Sequence, residues 1–224
     1  MNGKLGEVWV WSAIDPENKY LFPDFVGERK RKIGRKVLNE IKSRRKNTDD
    51  LLLIQTDGYD LYKELVIDAF ATKKINQVKR RGEMVTVTAE MPENILFCML
   101  QKKRDDFGNI DAIDVKVIFG NEDKILKVLK NHNPTQGINT SYIERSNLNR
   151  RLFNSRLKRK TLSFSKNYNC LVAQLNLQRI YANFCWNHHT LRKKYGIPTS
   201  PAMAIEATNH IWSLNEIFFY PISR

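Results

Sequence analysis

The run Leu51, Leu52, Leu53 and Ile54, closed by Q-T-D-G, constrains the fold more than any other stretch. Apolar residues in continuous succession, without alternation, suit a central strand buried on both faces. Asp57 stands at the end of that strand. From Tyr59 to Phe70 the spacing turns helical, with Tyr62, Leu65, Val66, Ala69 and Phe70 on one side. A buried strand that feeds an amphipathic helix makes this an α/β protein.

The flanking segments extend that reading. Val8 to Ile14 and Tyr20 to Val26 are β-branched and aromatic runs separated by D-P-E-N-K, which predicts two antiparallel strands with Asp15 and Pro16 in the turn. Between Arg31 and Lys46, Ile33, Val37, Leu38 and Ile41 recur at helical spacing among lysines and arginines, predicting a helix with a basic outer face. Downstream, M-V-T-V-T-A-E, I-L-F-C-M-L and D-V-K-V-I-F predict a small β-rich insertion of about three strands. A helix is expected from Ser141. Another long one is expected through Leu171, Leu175, Ile180 and Phe184 up to N-H-H-T-L-R. The loop Y-G-I-P-T-S-P then leads to a short helix around Met203 and a last helix over Ser213 to Phe218, opened by an S-x-x-E box. The expected division is a first core part over 1–72, the insertion over 73–139, and a catalytic helix with a helical remainder over 140–224.

Of the 224 residues, 42% are hydrophobic, enough to bury a core. Lysine and arginine total 38 against 24 acids, a formal net charge of +14 that favours a polyanionic partner, most simply nucleic acid. Cys98, Cys170 and Cys185 stand far apart with no C-x-x-C, which argues against a disulfide framework or a zinc ribbon. His188 and His189 after Cys185 read as packing and surface residues. M-N-G-K-L-G-E carries no signal-peptide pattern and no apolar run reaches membrane-spanning length, so a cytoplasmic, nucleoid-associated protein without membrane contact is expected. P-loop, G-x-S-x-G and H-E-x-x-H motifs are all absent.

From Arg145 to Lys166 the cations Arg145, Arg150, Arg151, Arg156, Lys158, Arg159, Lys160 and Lys166 occur with no acid among them, leaving Glu144 alone at their head. Ser141 and Glu144 form an S-x-x-E pattern, so Glu144 reads as half of a capping box. It also suits a metal ligand brought up to a phosphate backbone, and one residue can serve both purposes. Asp57 at a strand end and Glu144 on a helix make the kind of carboxylate pair that two-metal phosphoryl transfer uses.

The segment Y-I-E-R-S-N-L-N-R-R-L-F-N-S-R-L-K-R-K-T-L-S-F-S-K resembles the Glu-bearing segment of transposases of the insertion-sequence-one type, members of the DDE recombinase superfamily. The resemblance extends to W-V-W-S-A-I-D, T-D-G-Y-D-L-Y, N-H-H-T-L-R, T-S-P-A-M-A and N-H-I-W-S-L, and so covers most of the chain. It implies an RNase H-like mixed sheet flanked by helices and metal-dependent DNA strand cleavage and transfer at the ends of an insertion sequence. It further implies Mg2+ or Mn2+, double-stranded DNA as partner, and a homo-oligomer assembled on that DNA. Asp57 would be the second acid and Glu144 the third, both holding metal, with Arg145, Arg150, Arg151, Arg156, Lys158, Arg159 and Lys160 gripping the strand. The family's first acid lies in a D-E-x-W segment that nothing before Val8 matches. Asp15 is the substitute candidate, and otherwise a turn residue. The zinc-binding and helix-turn-helix parts of the family also find no match, so a truncated, inactive transposase is one expectation. The alternative function is a non-catalytic DNA-binding remnant that competes or assembles with full-length transposase.

Overall fold

A computed structural model of the chain describes residues 8–75, 87–107, 110–132, 141–158 and 162–220. The first half of the chain runs β1 (Trp9–Trp11), β2 (Phe25–Gly27), α1 (Arg31–Ser43), β3 (Leu52–Asp57), α2 (Leu61–Phe70), β4 (Thr72–Ile75), β5 (Val87–Glu90), β6 (Ile95–Arg104), β7 (Ile110–Phe119) and α3 (Glu122–His132). Then follow α4 (Ser141–Phe153), a 3-10 turn (Ser155–Leu157), α5 (Tyr168–Ile180), a π-helical turn (Tyr181–Cys185), α6 (His189–Tyr195), α7 (Pro201–Ala204) and α8 (Leu214–Phe219). The protein is α/β with a mixed sheet. It divides into two units, Lys30–Ser141 and Met1–Arg29 with Tyr142–Arg224.

In the Lys30–Ser141 unit, β3 runs parallel to β6, with Leu52 opposite Ile95 and Asp57 opposite Leu100. β7 pairs antiparallel on the other side of β6, so the sheet order is β3-β6-β7. A parallel neighbour requires a crossover, and α2 lies in the one between β3 and β6. The centre of this sheet is not where the sequence pointed. Ile95 to Leu100 are each at most 3% exposed, whereas in β3 only Ile54 is buried, the other residues from Leu52 to Thr56 are half-buried, Asp57 is exposed, and the preceding Leu51 is 51% exposed. The run I-L-F-C-M-L has a partner strand on each side, and among the described residues β3 has one. Leu96 and Cys98 meet Ile125 and Leu129 of α3, with Leu53, Val115 and Val117 around them.

The segment expected as an insertion therefore does not stand apart from β3. Its strands β6 and β7 share a sheet with β3, while β4 and β5 form a separate antiparallel pair. The last four residues of M-V-T-V-T-A-E form β5, and Met84 to Thr86 lie outside the described residues.

α1 buries Gly34, Val37 and Leu38, and α2 buries Leu65, Val66, Ala69 and Phe70. Their outer edges are joined by charge. Arg31 reaches Glu64 at 2.9 Å and Asp68 at 3.2 Å, and Arg35 reaches Asp68 at 2.8 Å. Part of the basic face expected on α1 is thus neutralised by α2.

The other unit holds the predicted hairpin. β1 and β2 pair antiparallel with Trp11 opposite Phe25, and Ile14 bridges Leu21 closer to the turn. Asn183, fully buried in the π-helical turn, accepts from Leu21 N at 3.0 Å and donates to Leu21 O at 2.9 Å. Its amide takes the place of a neighbouring strand for that residue. The expected long helix is broken in two. α5 passes into the π-helical turn, and α6 starts afresh at His189 and ends at Gly196, whose φ of +75° is the left-handed C-terminal stop. The two short helices appear as expected. Ser200 caps α7 with Pro201 at its start, and Ser213 and Glu216 form a reciprocal capping box on α8.

Candidate nucleic-acid interface

α4 begins at Ser141, and the residues immediately before it lie outside the described residues. Glu144 stands in the first turn and is exposed. An acid there is favoured by the positive end of the helix dipole whatever else it does.

The start of α4 is tied to the hairpin turn. Asp15 Oδ1 accepts the N–H of Glu17 at 2.8 Å and Asp15 Oδ2 accepts from Asn18 Nδ2 at 2.8 Å, while Asp15 N donates to Tyr20 O at 2.8 Å. Lys19 completes the turn in a left-handed conformation with φ 59°, donates to Pro16 O, and sets its ammonium 3.8 Å from the centre of the Tyr142 ring. Burial lowers the Lys19 pKa, with Asp15 working against that shift. Both carboxylate oxygens of Asp15 are therefore spent on the turn that places Lys19 against α4.

Asp57 belongs to the Lys30–Ser141 unit, and Glu144 and Asp15 to the other. Asp57 is exposed at the end of β3, and its Oδ1 accepts the N–H of Tyr59 at 3.2 Å. Gly58 after it passes close to β6, since a Cβ there would lie 3.3 Å from Gln101 Cγ. Among the described residues no group of three or more His, Cys, Asp or Glu is gathered to hold a metal ion.

The cations of the basic segment have different fates. Arg145, Arg156 and Lys158 are exposed and Arg151 is half-buried. Arg159 and Lys160 lie outside the described residues. Arg150 departs from the expectation that it faces DNA. Its guanidinium is enclosed, paired with Asp24 at 2.8 Å and donating to Ser12 Oγ, so reaching a phosphate would mean abandoning a buried acid. Burial raises the Asp24 pKa despite the neighbouring Arg150, and burial lowers that of Arg150.

Two features had no signal in the spacing. Asp24 sits in an ordinary P-D-F stretch with nothing to mark it as the partner of a helix far along the chain. Phe153, Trp186 and Tyr181, from three different elements, meet in space with ring centroids 6.4 Å and 6.2 Å from Trp186.

No family model, curated protein or solved structure matches this chain. Among the described residues no helix is long and apolar enough to cross a membrane.

Proposed function

We propose that this chain is a DDE-type transposase catalytic region with an RNase H-like core, which cleaves and joins DNA at the ends of an insertion sequence. The observation that carries the reading is Glu144, an exposed acid in the first turn of α4, heading an acid-free basic segment that resembles the family's own. Arg145, Arg151, Arg156 and Lys158 supply cations for a phosphate backbone without needing any metal. Asp57 and Glu144 are exposed hard-oxygen donors of the type that suits Mg2+ or Mn2+, and each would be a ligand to such an ion. When bound, it would stabilise charge on the oxygens of the phosphodiester under attack. Asp15 fits that group poorly, because both its oxygens serve the hairpin turn. In this reading the protein works as a homo-oligomer on paired ends, within the nucleoid.

The test is strand transfer on a labelled duplex carrying the element's ends, with Mg2+ or Mn2+. Glu144→Gln is expected to abolish transfer while leaving duplex affinity unchanged. Transfer that survives this substitution would sink the assignment of Glu144. The engagement of Asp15 favours a second reading, a non-catalytic DNA-binding remnant that competes or assembles with full-length transposase. That protein binds duplex in a salt-sensitive manner and cuts nothing at any divalent-ion concentration.

A further inference from the structure

Phe153 closes α4, Tyr181 opens the π-helical turn and Trp186 follows that turn. The rings of Phe153 and Tyr181 flank that of Trp186, yet the three residues stay 68%, 41% and 38% exposed. A contacting cluster of rings normally goes into a core, because each ring carries a large apolar area. Here it is left at the surface, beside a π-helical turn of the kind that recurs at functional sites.

The surroundings say what covers it. Buried Asn154 accepts the N–H of Arg156 at 3.1 Å, which turns the chain immediately after Phe153. Arg151 precedes the Phe153 ring by two residues, and exposed Arg156 and Lys158 follow it on the turned segment. No Asp or Glu interrupts the segment from Arg145 to Lys166. An occupant must then combine negative charge with flat apolar faces. Duplex DNA offers the charge but keeps its bases stacked inside, whereas an unpaired strand offers both.

We infer that Phe153, Trp186 and Tyr181 form a stacking platform for unpaired bases of a DNA strand whose phosphates are held by Arg151, Arg156 and Lys158. The platform makes this unit prefer single-stranded or frayed DNA ends over intact duplex. This inference rests on the DNA-binding reading above and assigns it a site away from Glu144.

The test is fluorescence anisotropy of the full chain with a labelled oligo-dT and with a duplex of equal length, at one fixed salt concentration. Phe153→Ala is expected to weaken oligo-dT binding by about 5- to 100-fold, the usual effect of losing one stacking ring. Its duplex affinity is expected to stay within about twofold, since the platform does not meet paired bases. Phe153→Tyr, which keeps the ring, is expected to restore oligo-dT binding, and this separates stacking from a loss of folding. Equal weakening on both DNA forms, or no weakening on oligo-dT, overturns the platform and leaves the transposase reading standing. A change from dimer to monomer in Phe153→Ala with oligo-dT affinity intact also overturns it, because the patch would then be covered by a second copy. Wild-type protein that binds neither DNA form overturns both readings, whereas strand transfer by Glu144→Gln overturns the catalytic one alone.

Discussion

Nη1 of Arg150 lies 2.8 Å from Oδ1 of Asp24, and the two side chains are 8% and 1% exposed. Ser12 Oγ donates to the same Asp24 oxygen at 2.8 Å, so the α4 cation, the acid before β2 and the hydroxyl after β1 form one enclosed network. The network joins α4 to the hairpin. It gives the Glu144 helix a defined seat within its unit.

Removing one member of a buried pair strands the other's charge. Arg150→Ala is therefore expected to destabilise the protein by about 3–5 kcal/mol, measured by urea unfolding. Asp24 Oδ2 and Arg150 Nη2 find no hydrogen-bond partner among the described residues, so the pair as a whole is costly to bury. The double variant Asp24→Leu with Arg150→Met is expected to recover most of the loss, or to exceed wild type. The pH dependence follows from the Asp24 shift. A carboxyl raised by burial binds its proton more tightly in the folded state, so its stabilising contribution is complete below the ordinary carboxylate range. That contribution is lost as pH rises through the folded pKa, and Asp24→Asn should flatten this part of the stability profile.

If the exposed cations of the basic segment meet phosphates, each should carry one counterion's worth of salt dependence. Arg145→Ala, Arg156→Ala and Lys158→Ala are each expected to reduce the slope of log K against log salt on duplex DNA by about 1. Arg150 is the internal control. Its removal should act through folding, and Arg150→Met paired with Asp24→Leu should leave the slope unchanged.

Glu216 is held at about 2 by hydrogen bonds from the Ser213 backbone, from His210 and from the Ser213 hydroxyl. Its Oε2 accepts from Ser213 N at 2.7 Å, and its Oε1 lies 2.6 Å from His210 Nε2. A depressed carboxyl contributes stability above its unfolded value, 4.5, and loses it as pH falls through about 2. The capping box of α8 should therefore open between those values, seen as amide shifts at Ser213 and Glu216 in an NMR titration. Glu216→Gln should remove the transition.

Gly120 has φ 98°, and a Cβ there would fall 2.3 Å from Leu96 Cδ2. Leu96 is 1% exposed in the β6 core and has little room to yield. Gly120→Ala is expected to cost about 1–3 kcal/mol from overpacking, with backbone strain in addition. Thermal unfolding checks it, and an unchanged Tm would mean that the β7–α3 turn rearranges freely.

Whatever rested on neighbours in the chain was legible from the residues. The hairpin around D-P-E-N-K, the amphipathic spans of α1 and α2, the short α7 after its Pro-marked loop and the Ser-capped α8 all follow from turn chemistry, helical spacing and caps that act within a few residues. Glu144 could likewise be placed in a first helical turn, and Asp57 at a strand end. Features built from distant residues were not legible. The centre of the sheet went to β6 and not to β3 because burial depends on having a strand on each side, and pairing joins segments far apart. Arg150 looked like its neighbours in a basic run. Its position on α4 brought it to Asp24, and the cost of leaving that buried acid unpaired turned one cation of the run inward while Arg145, Arg156 and Lys158 stayed in solvent.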